Sequence, residues 1–223
     1  MPEPLPRTRP RYIAIEGPVR VGKSSLARLL ADHAHARLLL EPEDNPHLEA
    51  FYAGVPGAAF RAQMQFLQAR YRQLAPLAAE LAVAPPASML VADYIFEKDK
   101  IFAYINLSDA ELAVYNQYYE LLRTQIPPPD LVIYLQATPD VLRQRLARKN
   151  VASEQQISEE YLGEVIKAYD HFFFRYNQTD LLVVNTTAID FIEQDGDLQE
   201  LLRQLEQPVA GTQYYLPLGG ERA

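Results

Sequence analysis

Apolar residues gather in five short runs: YIAIEG from Tyr12, RLLLEP from Arg37, SMLVAD from Ser88, DLVIYLQ from Asp130 and DLLVVNT from Asp180. Each is nearly continuous rather than alternating, as expected of strands covered on both faces in a parallel sheet. The segments between them have helical spacing. Gly22 to His35 repeats leucine at 26, 29 and 30, and Phe60 to Val83 is long, with a break or kink near Pro76. Ser108 to Arg123 follows the start signal LSDAE, and Thr138-Pro139-Asp140 supplies a cap, a first-turn proline and an acid. Ser158 to Tyr176 sets Tyr161, Val165, Tyr169 and Phe172 on one stripe. Strands alternating with helices predict an α/β fold, a doubly wound five-stranded parallel sheet flanked by helices, with ligands at the carboxyl ends of its strands. The predicted organisation is a flexible N-terminal arm over 1–10, one domain over 11–207 and a C-terminal tail over 208–223.

Composition narrows the classes. A chain of 223 residues suits one domain with a sizeable core. No apolar run approaches the roughly 18 residues of a membrane span, and MPEPLPRTRP lacks the apolar stretch of a secretion signal. The absence of cysteine rules out a disulfide framework and a thiolate nucleophile and is compatible with the cytoplasm, the expected compartment. A net charge of −8 disfavours a polynucleotide partner. The local basic cluster of Arg143, Arg145, Arg148 and Lys149 then points to a smaller anion.

Gly17-x-x-x-x-Gly22-Lys23-Ser24 lies between a predicted strand and a predicted helix, the context in which this pattern cradles phosphates. Backbone N–H groups along Val19, Arg20, Val21 and on to Ser25 form an anion nest at a helix N-terminus. Lys23 is expected to reach the β- and γ-phosphates of a nucleoside triphosphate, and Ser24 to ligate Mg²⁺. Glu41 follows the second strand at the carboxyl edge of the sheet, where a carboxylate can take a proton from a primary hydroxyl. Taken alone it reads more readily as a solvated strand-end acid. Tyr52 and Gln63 follow; the glutamine amide carries the donors and acceptor that read a nucleobase edge, although a lone helix glutamine is more often a surface residue.

From about Tyr12 to about Asn185 the chain resembles the deoxynucleoside kinases, most closely the bacterial branch that includes deoxyadenosine and deoxyguanosine kinases. The resemblance rests on GPVRVGKSS, LEP, the pair FY…Q, ADYIFEKDKIFA and RQRLARKNVASEQQISEEYL, in that order. It implies a P-loop kinase fold, ATP as donor with Mg²⁺, a deoxyribonucleoside as acceptor in nucleotide salvage, and a homodimer. It also implies Glu41 as general base, Tyr52 and Glu154 on the sugar 3′-hydroxyl, Gln63 paired with the base, Phe102 stacked on it, and a lid at about 148–157 that closes over the site. Gln63 alone leaves the base open, since its amide can rotate; the bacterial likeness leans to purines.

Two stretches depart from the family. Many members have an acid, arginine and serine after the third strand, where this chain reads Asp93-Tyr94-Ile95. Asp93 is expected near Mg²⁺, and the arginine's acceptor-side task falls to Lys98, Asp99 or Arg70. In the lid, Arg145 and Lys149 share a helical face with Arg148 alongside, suited to neutralising the γ-phosphate as it leaves. Arg145 leads that assignment and Lys149 follows. Two rivals stand beside this reading. A thymidylate-type monophosphate kinase would want a basic pair near Tyr52; the segment from Glu41 to Val55 has none, which leaves Arg61 and Arg70. An ATP-gated regulatory module would use the cradle as a switch and need no hydroxyl pocket.

Overall fold

The computed structural model describes residues 10–85, 87–149 and 157–217. In chain order the elements are β1 (Tyr12–Glu16), α1 (Lys23–Ala34), β2 (Arg37–Leu39), α2 (Leu48–Tyr52), α3 (Ala58–Leu74), α4 (Leu77–Val83), β3 (Leu90–Ala92), α5 (Lys98–Asn106), α6 (Asp109–Arg123), β4 (Leu131–Gln136), α7 (Pro139–Lys149), α8 (Glu159–Phe174), β5 (Asp180–Asn185), α9 (Asp195–Leu205) and β6 (Thr212–Tyr215). The sheet runs β2-β3-β1-β4-β5-β6, with every pairing parallel. Its five predicted strands sit where their apolar runs do. The sixth corrects the expected count: β6 comes from the segment read as a tail and pairs with β5, Leu181 opposite Thr212. The sequence TQYY alternates between exposed and half-buried because an edge strand has little cover, so it carries no continuous apolar run.

Successive strand residues point to opposite faces and build two cores. Tyr12, Ala14, Ala92 and Tyr134 pack with Leu67 of α3, Ile101 of α5, Tyr119 of α6 and Tyr169 of α8. Ile13, Ile15, Val91 and Ile133 pack with Leu26 of α1, Leu142 of α7 and Leu201 of α9. On α8 the buried positions are Leu162, Val165, Tyr169 and Phe173; Tyr161 and Phe172 of the expected stripe are only partly buried.

Local chemistry sets the helix limits. Pro76 lacks the N–H that a continuing helix needs, so the expected long helix divides into α3 and α4 beside it. Glu111 Oε2 accepts from Ser108 N at 3.0 Å, closing a capping box at the start of α6. Ser158 Oγ accepts from Tyr161 N at 3.1 Å at the start of α8. The strand order reverses between β1 and β4, and the loop after β1 opens into the crevice at that switch point.

Candidate active site

The loop from Gly17 to Gly22 holds its shape through two glycines with positive φ. Gly17 has φ 149°, and a Cβ there would lie 2.5 Å from Leu135 O; Gly22 has φ 110°, and its Cβ would lie 2.7 Å from Phe191 Cζ. Leu26 N donates to Gly22 O at 2.9 Å, starting α1 directly behind the loop. Val19, Arg20, Val21, Gly22, Lys23, Ser24 and Ser25 line one wall of a cavity of about 500 Å³. Lys23 Nζ donates to Gly17 O at 2.8 Å and Pro18 O at 3.0 Å. Burial first, then the charge of Lys98, lowers its pKa to about 8. A buried ammonium held down in this way gains from an incoming phosphate.

Glu41 lines the cavity together with Tyr52, Lys98 and Phe102. Its backbone N donates to Asp93 Oδ1 at 2.6 Å. Its Oε1 accepts from Arg70 Nη2 at 2.6 Å and Nε at 3.2 Å, and its Oε2 accepts from Lys98 Nζ. Burial alone would raise the carboxyl pKa, but Lys98 and Arg70 outweigh it and hold the group at about 2. Behind this layer Arg70 Nη1 pairs with Asp99 Oδ2 at 2.8 Å, and Gln63 Nε2 donates to Asp99 O at 3.0 Å and Asp99 Oδ1 at 2.5 Å. Gln63, Arg70, Asp93 and Asp99 are all buried behind the cavity wall. Asp93 thus orients the Glu41 backbone. Gln63 spends its amide donors on Asp99 and is not among the residues that line the cavity.

The helix α7 contributes cations to the same cavity. Arg145 lines the cavity, yet its guanidinium donates to Val21 O at 3.1 Å, Thr186 Oγ1 at 3.2 Å, Thr186 O at 3.0 Å and Ile189 O at 3.2 Å. It ties the phosphate loop to the segment after β5, and a finger role would require giving up some of these bonds. Arg148 pairs with Asp190 at 3.5 Å and Glu193 at 3.3 Å, and Lys149 lines the cavity from the end of α7. Residues 150–156 of the expected lid, Glu154 among them, lie outside the described residues, and Ile157 beyond them lines the cavity.

Sequence reasoning left several contributors unassigned. Glu16, fully buried at the end of β1, accepts from Gly17 N at 2.9 Å, Ile95 N at 3.1 Å and Tyr169 OH at 3.1 Å, so one carboxyl joins the phosphate loop, the segment after β3 and α8. Burial raises its pKa. The apolar run YIAIE ends on this acid, and a charged residue closing a buried strand is the signal that would have found it. Phe191 packs on Gly22 from a loop with no motif of its own. Among the described residues no group of three or more His, Cys, Asp or Glu side chains could hold a metal ion by itself. An ion that arrives on a triphosphate needs only one or two protein oxygens, and Ser24 at the cavity wall is such a donor.

The Deoxynucleoside kinase family model matches residues 13–210. The chain belongs to the deoxynucleoside kinase family. Among its relatives, a deoxyguanosine kinase of Bacillus subtilis is 30% identical, with 88% of this chain and 96% of that one covered. A deoxyadenosine kinase of Lactobacillus acidophilus is 24% identical, with 88% and 95% covered. The solved structure of deoxyadenosine kinase from M. mycoides with bound dATP superposes with a TM-score of 0.71 at 23% identity, covering 87% of this chain and 98% of that one, a likeness of fold. For a deoxynucleoside kinase the placement of Glu41 and the phosphate loop on one cavity is chemically coherent. Membership in this family disfavours both the thymidylate-type kinase and the regulatory module. No helix among the described residues is long and apolar enough to cross a membrane.

Proposed function

We propose that this deoxynucleoside kinase transfers the γ-phosphate of ATP to the 5′-hydroxyl of a purine-type deoxyribonucleoside in cytoplasmic salvage. The observation that carries the reading is that Glu41 and Lys23 line the same cavity, one from the end of the sheet and one from the phosphate loop. The 5′-oxygen attacks the γ-phosphorus in line, the bond to the ADP oxygen breaks, and the hydroxyl proton passes to the Glu41 carboxylate. A carboxylate held near pKa 2 is a weak base, so its main work is to fix the hydroxyl and receive its proton late, as a loose transition state allows. Lys23 meets the negative charge from the phosphate loop. Lys149 approaches from α7, beside Arg148, while Arg145 holds the wall they share and is the lid cation that would follow if its carbonyl bonds yield. Mg²⁺, held by the Ser24 hydroxyl with Asp93 close behind, would neutralise phosphate charge.

On the acceptor side, Tyr52 and Glu154 are the proposed partners of the sugar 3′-hydroxyl, and Phe102 offers its face to the base. Gln63, fixed by Asp99 behind the cavity wall, is the proposed base reader and must be uncovered for its amide oxygen to reach the base. The names of the two relatives above support purine preference. Closure of the segment around 148–157 would exclude water and protect ATP from hydrolysis. A homodimer is proposed through α5 and α6: Val114, Tyr118 and Leu121 form an exposed stripe on α6, and Tyr104 is exposed on α5. Sedimentation should then give twice the chain mass.

The direct test is a product assay with ATP-Mg²⁺ and each of the four deoxynucleosides, alongside thymidine monophosphate. Formation of deoxyadenosine or deoxyguanosine 5′-monophosphate is the expected result. Turnover of thymidine monophosphate alone would defeat the proposal.

A further inference from the structure

Lys98 is the first residue of α5, and its ammonium reaches the cavity wall with only 10% of the side chain exposed. Its position has three features that a Glu41 clamp does not require. First, Glu41 is already oriented by Arg70, which gives two hydrogen bonds to Oε1 and is itself anchored on Asp99, so the carboxylate keeps a cationic partner when Lys98 leaves it. Second, Arg70 is 3% exposed and absent from the cavity wall, so the cation able to touch a ligand on this side is Lys98. Third, Lys98 and Lys23 line the same cavity and the charge of Lys98 lowers the Lys23 pKa, a repulsion between like charges that an anion bound beside both relieves. The carboxylates whose charge acts on Lys23 are Glu16, Glu41 and Asp93, and Glu43 and Asp190 also line the cavity. An ammonium has three donors on a flexible stem, and Glu41 Oε2 takes one of them.

We propose that Lys98 is a second phosphoryl-gripping lysine, moving from Glu41 Oε2 onto an equatorial oxygen of the phosphoryl group as that group passes to the 5′-oxygen. The proposal rests on the kinase reading above and names the residue that serves where this chain has Tyr94 in place of the arginine common in its family. Lys98 makes and breaks no covalent bond. The O5′–P bond forms as the bond from phosphorus to the ADP oxygen breaks, and the hydroxyl proton passes to Glu41 Oε2, which the departure of Lys98 uncovers. Lys23 holds the phosphate on the donor side, Lys98 receives it on the acceptor side, and the product 5′-monophosphate leaves from between Lys98 and Glu41.

The test compares wild type with Lys98→Met, Lys98→Gln and Lys98→Arg. It measures kcat, the KM of the deoxynucleoside and, by calorimetry, the affinity of the full-length protein for the deoxynucleoside and for its 5′-monophosphate. Expected are a fall in kcat of about 100- to 1,000-fold for Lys98→Met with KM within about threefold, and recovery to within about tenfold of wild type for Lys98→Arg. Monophosphate affinity should fall by tenfold or more while nucleoside affinity holds. Lys98→Gln separates the roles, because its amide can still donate to Glu41 but carries no charge; it should lose monophosphate affinity like the Met variant. Unchanged monophosphate affinity in Lys98→Gln, or in Lys98→Arg and Lys98→Met together, overturns the phosphoryl contact and leaves a clamp on Glu41. A wild-type protein that phosphorylates no deoxynucleoside would instead remove the kinase reading itself, so the two failures are distinct.

Discussion

Glu41 sits between two cations, and its ionisation is part of what holds the acceptor wall together. Folding lowers its pKa from the ordinary 4.5 to about 2, because Lys98 and Arg70 overcome the cost of burial. A carboxyl whose folded pKa is depressed stabilises the native state above the unfolded value, and that contribution is lost as pH falls through the folded value. Wild type should therefore exceed Glu41→Gln in urea-unfolding stability at pH 6, with the gap narrowing as pH drops from about 4.5 towards 2. A gap independent of pH across that window would show that the carboxylate charge contributes nothing there. Arg70 on α3 and the neighbouring Lys98 and Asp99 on α5 belong to the same network, which joins separate places in the chain. Sequence spacing reveals that Glu41 ends a strand; it does not reveal that Arg70 on α3 and Lys98 on α5 converge on it, because those contacts exist only after the helices pack.

At the scale of elements, legibility followed burial. β1 to β5 and α1 were evident because two-sided cover demands continuous apolar runs and the glycine spacing encodes a backbone shape. α2 has five residues and no buried position, so it left no periodic signal. α9 carries leucines at 198, 201, 202 and 205, a helical spacing that marks it once the acid-rich start at Asp195 is taken as a first turn. β6 was hidden by its half-exposed edge position. The phosphate loop is the most fully encoded element, and its glycines are correspondingly intolerant. Gly22→Ala would force a Cβ to 2.7 Å from Phe191 at a φ of 110°, a strained backbone costing about 1–3 kcal/mol. ATP affinity measured by calorimetry should drop about tenfold or more, with Phe191 displaced; unaltered affinity would mean that the loop is not held by this packing.

The whole molecule is acidic, yet the crevice beside the phosphate loop gathers Lys23, Lys98, Arg145, Arg148 and Lys149 against Glu41, Glu43 and Asp190. That contrast fits a small polyanion entering a cationic cleft, and the sheet explains its location: β1 delivers the phosphate loop, β2 delivers Glu41, and β3 between them supplies Asp93 to orient it. The central claim is that a carboxylate faces a sugar hydroxyl across a cavity whose far wall holds triphosphate. Its most direct measurement is the steady-state turnover of Glu41→Gln set beside deoxynucleoside binding by the same protein. Turnover lower by about two to four orders of magnitude with binding retained is the predicted result, and turnover within about threefold of wild type would contradict it.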